Sequence, residues 1–505
     1  MRQLLPALFL ALSAWAGTPP AVEWNQWSAG VFARAKQENR FVLLDLEAVW
    51  CHWCHVMDAT TYQDSAAVEL LKSKYILVKV DQDSRPDLAS RYEDYGWPAT
   101  IVFDSDGHEI VKRQGYIAPK EMAAMLRAII ADPAPGPSVV AEQPIEFASS
   151  PVLPAEMREQ LAANYRLRYD SKNGSWGFQQ KFLDWDGVEY AMLLAHQGDA
   201  QAEKMALQTL TAQQNLIDPV WGGVYQYSTD GDWKHPHFEK IMQFQAENMR
   251  IYAMAWQQWH KPEYLRAAQA IRRFLRTFLT SPDGAFYTSM DADLIDGQHS
   301  AAYFKLNDAA RRRLGVPRVD RHIYGRENGW AIAALAALSQ AANDPTCLAD
   351  AERAANWVLE HRSLDGGGFR HDDLDPAGPY LGDTLAMTRA FLSLYAATGD
   401  RAWLDRAQRS LEFIAANFRN TAGAGYVTAR TATDAAYRPH PERDENVALA
   451  RVANEVWRTS RHAGDAKFRR IAEEAMRYIV TPQVARAYTA APTLLADAEL
   501  TRPVE

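Results

Sequence analysis

Two cysteines, Cys51 and Cys54, lie three positions apart, with His52 between them and His55 directly after them. A Cys-x-x-Cys pair can close a disulfide and open it again by thiol–disulfide exchange. The apolar segment 41–50 precedes the pair and loosely helical spacing follows it, so we expect Cys51 at a helix N-terminus. The positive end of the helix macrodipole favours a thiolate there. The sequence therefore predicts that Cys51 is the nucleophile, that Cys54 is the resolving thiol, and that protonated His52 further stabilises the thiolate.

The same residues allow three other interpretations. In the first, the pair is a purely structural disulfide. In the second, the segment 51–55 is a C-x-x-C-H attachment motif for c-type haem, and in the third, His55 contributes to a zinc site. Haem attachment is typical of motifs surrounded by small helices, whereas predicted strands lie on both sides of this one. We therefore expect a redox-active disulfide with no haem, metal or other cofactor.

A mixed α/β unit is predicted around the pair. The segment 41–50 is short and continuously apolar, as in a buried strand. Two further apolar segments, the turn at Asp106-Gly107 and a return strand complete the sheet. In chain order the predicted elements are a strand at 41–50, a helix after Cys54, strands at 75–81, 99–104 and 109–112, and a helix at 119–131.

This order, with the cysteine pair at a helix start, resembles the thioredoxin fold. Asp45 lies six positions before Cys51, as the buried acid of thioredoxins does, and Trp97-Pro98 matches the cis-proline that faces the cysteines. Gly115-Tyr116 matches the small turn before the last helix. The resemblance implies that Asp45 accepts the Cys54 proton as that sulfur attacks. It also implies that a cis-Pro98 presents a backbone without an N–H to the disulfide and leaves an edge open for a client peptide.

Length and charge limit the classes of protein that remain. The chain has 505 residues, 48% of them apolar, which is too long for a single domain of ~150 residues. Its 54 basic and 63 acidic side chains give a net charge of −9, which argues against a nucleic-acid binder that neutralises phosphates. We expect no membrane span, because no segment beyond the N-terminus approaches ~20 continuous apolar residues.

The first residues have the pattern of a signal peptide. A basic residue, the apolar run 4–12 and Ala14-Trp15-Ala16 predict cleavage after Ala16. We therefore expect a signal peptide at 1–16 and a periplasmic or secreted protein. Its three cysteines are few for a large exported chain held by disulfides, which normally carries them in more pairs.

The rest of the chain is predicted to be helical and repetitive. Residues 133–151 are rich in proline and form a predicted linker after a thioredoxin-like domain at 17–132. From 152 to 500, two helices joined by a tight polar turn recur, and the leading and trailing helices make one further hairpin if the array closes. We therefore predict an all-α (α/α)6 toroid of six hairpins, with an open solenoid as the alternative. The turns are Gly198-Asp199, Lys261-Pro262, Asp344-Pro345, Gly399-Asp400 and Gly464-Asp465.

The loops between the hairpins carry glycine, aromatic and carboxylate residues. In a closed ring these loops emerge on one rim and line a central funnel. Aromatic rings stack on pyranose faces and acids bind hydroxyls, so a small carbohydrate is a candidate ligand. Taken singly, each of these loop residues also fits the role of a helix cap or of a solvent-exposed loop residue. The prediction of a binding site therefore depends on all of them lying on the same rim of the ring. The predicted substrate-binding residues are His237, Glu239, Asp291, Asp293, Glu327, Asp383, Trp221 and Tyr225.

Seven motifs along the chain carry a wider resemblance. They are Cys51-His-Trp-Cys-His-Val-Met57, Lys79-Val-Asp-Gln-Asp-Ser-Arg-Pro-Asp87, Gly96-Trp-Pro98, Gly222-Gly-Val-Tyr-Gln-Tyr-Ser228, Pro236-His-Phe-Glu-Lys240, Gly284-Ala-Phe-Tyr287 and Asp291-Ala-Asp293. Together they resemble the spermatogenesis-associated thioredoxin-domain family, which joins a thioredoxin-like domain to a six-hairpin toroid. The resemblance implies a toroid similar to those of N-acylglucosamine 2-epimerases, which move protons with paired histidines. His237 is the candidate acid or base in this comparison.

Three functions fit these predictions. The first is an exported thiol–disulfide oxidoreductase that exchanges with client protein thiols or disulfides and with a redox partner, while the toroid binds a client or carbohydrate. The second is a carbohydrate-active enzyme, a sugar epimerase, isomerase or glycosidase, with a regulatory or structural thioredoxin-like domain. The third is a non-catalytic, redox-gated binding module.

Overall fold

A computed structural model describes residues 22–140, 144–430, 438–460, 466–487 and 489–503 of the chain. The predicted signal peptide at 1–16 lies outside the described residues, as does the predicted turn at Gly464-Asp465.

The N-terminal unit is built on a four-stranded mixed sheet. Its order is β2-β1-β3-β4, in which β1 pairs parallel with β2 and antiparallel with β3, and β3 pairs antiparallel with β4. Apolar cores cover both faces of this sheet, which is why its central strands are apolar at most positions on both faces. The strands are β1 (Phe41–Glu47), β2 (Tyr75–Asp81), β3 (Ala99–Phe103) and β4 (Glu109–Gln114).

Five helices surround the sheet and confirm the thioredoxin-like architecture. The first strand ends at Glu47, before the predicted limit, and a short connection leads to Cys51 and the second helix. The helix predicted at 119–131 is present with those bounds. The helices are α1 (Ala29–Glu38), α2 (His52–Thr60), α3 (Ser65–Lys74), α4 (Pro86–Tyr92) and α5 (Pro119–Ala131), with 3-10 turns at Thr61–Gln63, Gln82–Ser84 and Glu93–Tyr95.

The remainder is a ring of six helical hairpins, as predicted. Six inner helices line a central cavity: α7 (Trp185–His196), α9 (Met242–Trp259), α13 (Gly325–Ala342), α15 (Leu381–Thr398), α17 (Arg443–Ser460) and α20 (Ala490–Thr501). Their outer partners, in the same order, are α8 (Ala200–Gln213), α10 (Pro262–Phe274), α14 (Pro345–His361), α16 (Arg401–Asn417), α18 (Lys467–Ile479) and α6 (Ala155–Leu167).

The ring is closed, so the open-solenoid alternative is wrong. The last helix, α20, contacts the first pair, α6 and α7, as well as its predecessor α17. Closure buries the apolar faces that the ends of an open helical array would expose. The trailing segment predicted near 484–500 is divided between α20 and a short helix, α19 (Pro482–Ala487).

Polar turns define the hairpins by capping the outer helices. The side chains of Asp199, Asp344 and Asp400 each accept a hydrogen bond from a backbone N–H in the first turn of the next helix. Pro262 stands at the first position of α10, where its missing N–H costs nothing.

Short strands between the hairpins bring toroid loops towards the N-terminal unit. The strands β9 (Lys240–Ile241), β10 (Ser289–Met290) and β11 (Val319–Asp320) form one small sheet with β10 in the middle. The other pairs are β5 (Tyr169–Asp170) with β6 (Ser175–Trp176), and β7 (Tyr227–Ser228) with β8 (Pro236–His237). Two short helices, α11 (Ala301–Phe304) and α12 (Asp308–Leu314), a π-helical turn at Leu275–Leu279 and a 3-10 turn at Gln214–Leu216 complete the described elements.

None of the helices that the structure describes is both long and apolar enough to span a membrane.

Candidate redox site and central cavity

Cys51 and Cys54 form a disulfide at the N-terminus of α2. Cys51 is the N-cap residue, and the backbone N–H of Cys54 donates to Cys51 Sγ at 3.2 Å. This is the position that the macrodipole argument requires for a stabilised thiolate. The two residues are only 4% and 2% exposed. The third cysteine, Cys347, is buried in α14, and burial raises the pKa of its thiol to about 12.

Asp45 lies in the middle of β1 as a buried, ionisable group. Its cross-strand neighbour is Lys79, whose Nζ is 3.5 Å from Asp45 Oδ2. Asp45 Oδ1 has no hydrogen-bond partner among the described residues. Burial raises the pKa of Asp45 to about 7 against the opposing charge of Lys79. A carboxyl with this pKa can take up or release a proton near neutral pH.

Pro98 follows a cis peptide bond from Trp97, as the resemblance implied. The backbone N–H of Gly115 donates to the Pro98 carbonyl at 2.8 Å. Trp97 packs against the apolar cluster that contains both cysteines.

A loop of the toroid covers the start of α2. Asp293 accepts hydrogen bonds from Nδ1 of His52 at 2.8 Å and from Nδ1 of His55 at 3.2 Å. Burial opposes ionisation of Asp293, but these two hydrogen bonds outweigh it and lower its pKa to about 2. The Arg318 guanidinium reaches the same site and donates to the Val49 carbonyl at 2.7 Å.

The sulfur atoms themselves lie against apolar toroid residues. Ile241, at the end of β9, belongs to the same buried cluster as Cys51 and Cys54, and Phe244 of α9 packs against that cluster. The toroid therefore covers the disulfide as well as the histidines. On the other side of the motif, Trp53 remains 42% exposed.

Four of the residues that the sequence assigned to a sugar funnel lie at this domain contact, namely His237, Glu239, Asp291 and Asp293. Asp291 and Asp293 face His55, and Asp291 Oδ2 is 3.3 Å from Arg318 Nη2. Burial raises the pKa of Asp291 to about 6 and that of Glu239 to about 7. They are absent from the lining of the central cavity, because their loops fold back over α2.

His237 stacks on Tyr227 with a centroid separation of 4.3 Å. Burial and the neighbouring His52 and His299 lower its pKa to about 4, so His237 is neutral at pH 7. Its Nδ1 is 4.0 Å from Glu239 Oε1.

Ligand atoms of His55, Asp291 and Asp293 lie within 4.8 Å of one another, a spacing that a metal ion could bridge. However, Arg318 Nη2 is 3.1 Å from His55 Nε2 and 3.3 Å from Asp291 Oδ2. The guanidinium already supplies positive charge to these groups, so the donor set does not favour a cation.

Trp221 and Tyr225 lie in a buried ionic cluster away from the cavity. Asp218 binds Lys240 Nζ at 2.8 Å and Arg311 Nη1 at 2.6 Å. Arg311 lies over the Trp221 ring at 4.9 Å and Lys240 over the Tyr225 ring at 5.1 Å. These aromatic residues pack against structural cations, and neither lines the predicted funnel.

Asp383 also holds the two domains together. It accepts from His371 Nδ1 at 2.8 Å, and His371 Nε2 donates to the backbone carbonyl of Asp83 in the N-terminal unit at 2.6 Å. Burial disfavours the imidazolium, but the charge and hydrogen bond of Asp383 raise the pKa of His371 to about 9. His371 was not among the predicted site residues.

A cavity of about 590 Å³ fills the centre of the ring beneath the N-terminal unit. Trp50, Asp83, Glu93 and Trp97 of that unit form part of its wall, and the inner helices form the rest. Of the predicted substrate-binding residues, Glu327 lines it. Sequence reasoning missed the charged side chains of the inner helices, although charged residues inside otherwise apolar helices were a usable signal. They include Glu247, Arg250, Arg389 and Arg451.

Comparisons with known proteins agree with this architecture. The family model Thioredox_DsbH, described as a protein of unknown function, DUF255, matches residues 12–131. A thioredoxin of Mycoplasmoides gallisepticum is 32% identical over 89 residues, which are 18% of this chain and 84% of the thioredoxin. Spermatogenesis-associated protein 20 of Mus musculus is 24% identical over 412 residues, which cover 74% of this chain and 49% of the mouse protein. The chain thus spans about half the length of that relative.

The toroid has a known fold. The crystal structure of a D-mannose isomerase matches with a TM-score of 0.51 at 14% identity, over 69% of this chain and 97% of the isomerase. At this identity the match establishes the fold alone. The N-terminal unit is thus thioredoxin-like, and by its cysteine motif and domain order the chain as a whole is similar to the spermatogenesis-associated thioredoxin-domain family.

Proposed function

We propose that this protein is a thiol–disulfide oxidoreductase whose redox pair is Cys51 and Cys54. The observation that carries the proposal is the disulfide at the N-terminus of α2, with Cys51 as the N-cap. A purely structural disulfide needs no helix terminus beside the first sulfur and no ionisable acid in the adjoining strand. Asp45, with its pKa near 7, supplies that acid.

The exchange proceeds in two balanced steps. A client thiolate attacks Cys51 Sγ, the bond to Cys54 breaks, and Cys54 leaves as a thiolate that takes up a proton. A second client thiolate then attacks the client sulfur of the mixed disulfide, and Cys51 leaves as a thiolate. The client dithiol loses two electrons and becomes a disulfide, while the pair gains them and becomes a dithiol. A redox partner of the dithiol–disulfide class, in its disulfide form, then accepts the two electrons and restores the Cys51–Cys54 disulfide.

In this proposal Asp45 is the proton donor and acceptor for Cys54. Its pKa of about 7 lies near that of a perturbed cysteine thiol, so the proton can pass in either direction without a large barrier. The toroid controls which thiols reach the pair, because Ile241, Phe244 and the Asp293 loop cover it.

The test is catalysis of exchange between dithiothreitol and a small neutral disulfide. We expect the full chain to accelerate the exchange and Cys51→Ser to lose the acceleration. Cys347→Ser is the matched control and should retain it, because that thiol is buried in the toroid with a raised pKa. Equal rates for the wild type and Cys51→Ser would contradict the proposal.

A further inference from the structure

The central cavity carries more negative than positive charge. Ten of the described lining residues are aspartate or glutamate, four are arginine, and none is lysine or histidine. This imbalance is unusual for a space between two domains, because crowded carboxylates without counter-charges destabilise one another.

The arginines of the inner helices are already matched by glutamates. Arg250 binds Glu189 at 2.8 Å and Glu247 at 2.7 Å. Arg451 binds Glu189 and, at 2.7 Å, Glu499, while Arg389 Nη2 is 3.3 Å from Glu247 Oε2. Three arginines and three glutamates thus form one compensated network, so the surplus of negative charge lies elsewhere in the cavity.

The surplus of negative charge lies at the start of α17, at the end of the helix that faces the N-terminal unit. Glu442 and Glu445 stand at the start of α17, and Glu93 of the N-terminal unit is within electrostatic reach of Glu442. Burial and nearby carboxylates raise the pKa of Glu442 to about 7 and raise that of Glu445 as well. The raised pKa values mean that the ionised forms of these carboxyls are poorly compensated, so a bound cation would stabilise them and release their protons.

Two carboxylate oxygens in this wall are buried without a partner. Glu327 is only 2% exposed, and its Oε1 binds Arg326 at 2.7 Å, while its Oε2 has no hydrogen-bond partner among the described residues. Oε2 of Glu445 is buried and unpartnered in the same way. Leaving such a buried acceptor unmatched is unfavourable, and a donor on a bound ligand would satisfy it.

Aromatic side chains make up much of the remaining wall. A cation lying over the face of a tryptophan or phenylalanine is attracted by the negative face of the ring. The aromatic residues that line the cavity are Trp50, Trp97, Trp185, Phe244 and Trp330. The walls therefore offer carboxylates for N–H donors and ring faces for positive charge.

We propose that the cavity binds a small organic polycation of the linear polyamine class, with its ammonium groups at Glu327 and Glu445. The volume of about 590 Å³ lies within the range of ligand pockets, roughly 300–1,000 Å³. A polycation fits the surplus of carboxylates better than a neutral sugar, whose hydroxyls bring no counter-charge. The inference is independent of the chemistry of the cysteine pair.

The test is isothermal titration of the full chain with spermidine at fixed, near-physiological ionic strength. We expect 1:1 binding, with the Kd raised about tenfold in Glu327→Gln and, separately, in Glu445→Gln, because each substitution removes, at constant shape, a carboxylate that would pair with a bound ammonium group. Glu360→Gln, on the exposed face of α14, is the matched control and should leave the Kd within about twofold. Two separate cavity variants keep the test valid if one of them unfolds.

A parallel titration with cellobiose distinguishes a neutral carbohydrate site. Tight binding of cellobiose without binding of spermidine would overturn the proposal. An equal loss of spermidine affinity in Glu360→Gln and in the cavity variants would also overturn it, because the binding would then be a general effect of the acidic surface.

Discussion

Asp45 keeps an ionisable carboxyl inside the four-stranded sheet, where one oxygen is near Lys79 and the other has no partner among the described residues. Such a group makes folding less favourable once it ionises, because the unfolded chain hydrates its charge and the sheet does not. Its position six residues before Cys51 was predicted from the resemblance to thioredoxins. Its pKa could not be predicted, because burial depends on strands distant in the sequence.

Asp45→Asn should therefore stabilise the protein at high pH while it slows exchange. The folded state raises the pKa of Asp45 from 3.8 to about 7, so stability falls as the pH rises through that window. At pH 8 we expect Asp45→Asn to increase the free energy of unfolding by on the order of 2–4 kcal/mol, and near pH 4 to change it little. Urea unfolding followed by tryptophan fluorescence measures both values. If the free energies of unfolding of the wild type and Asp45→Asn differ by the same amount at both pH values, this role is contradicted.

At the scale of elements, the loop between β10 and β11 is the part of the toroid that holds α2. Asp293 of this loop binds His52 and His55, which lie more than two hundred positions earlier in the chain. The hairpins themselves were predictable, because polar turns such as Gly399-Asp400 are local signals that cap the next helix. The contact between the loop and α2 was not, because strands of two residues show no periodicity and nothing local specifies their partner.

Asp293→Asn should loosen this cover and make the disulfide easier to reduce. The substitution keeps the size of the side chain but removes the charge that accepts from both histidines, a contribution of about 1.5–3 kcal/mol for hydrogen bonds to a charged group. We expect dithiothreitol to reduce the pair about five- to tenfold faster, measured by quenching samples with an alkylating agent. Asp296→Asn, at an exposed position in the same loop, is the control and should react at the wild-type rate. Slower or unchanged reduction of Asp293→Asn would show that the loop does not limit access.

At the scale of the whole molecule, two domains enclose the central cavity and cover the redox pair. The toroid buries enough apolar surface to need no disulfide of its own, and its one cysteine, Cys347, is a buried free thiol. The two-domain organisation and the closure of the ring were predictable from the sequence, because the hairpins recur along the chain. It placed Asp291 and Asp293 in a sugar funnel because it could not indicate that the N-terminal unit sits over the ring.

The central claim is that Cys51 exchanges disulfides with clients, and a trapping measurement tests it most directly. In a Cys347→Ala background, Cys54→Ser leaves Cys51 as the only thiol and removes the group that resolves a mixed disulfide. We predict that the Cys51 thiolate of this variant attacks client disulfides, the reverse of the proposed oxidation, and accumulates covalent client adducts that dithiothreitol releases, detected by non-reducing electrophoresis and mass spectrometry. Cys51→Ser in the same background should accumulate far fewer. An absence of adducts on Cys51, or equal adducts in both variants, would contradict the account.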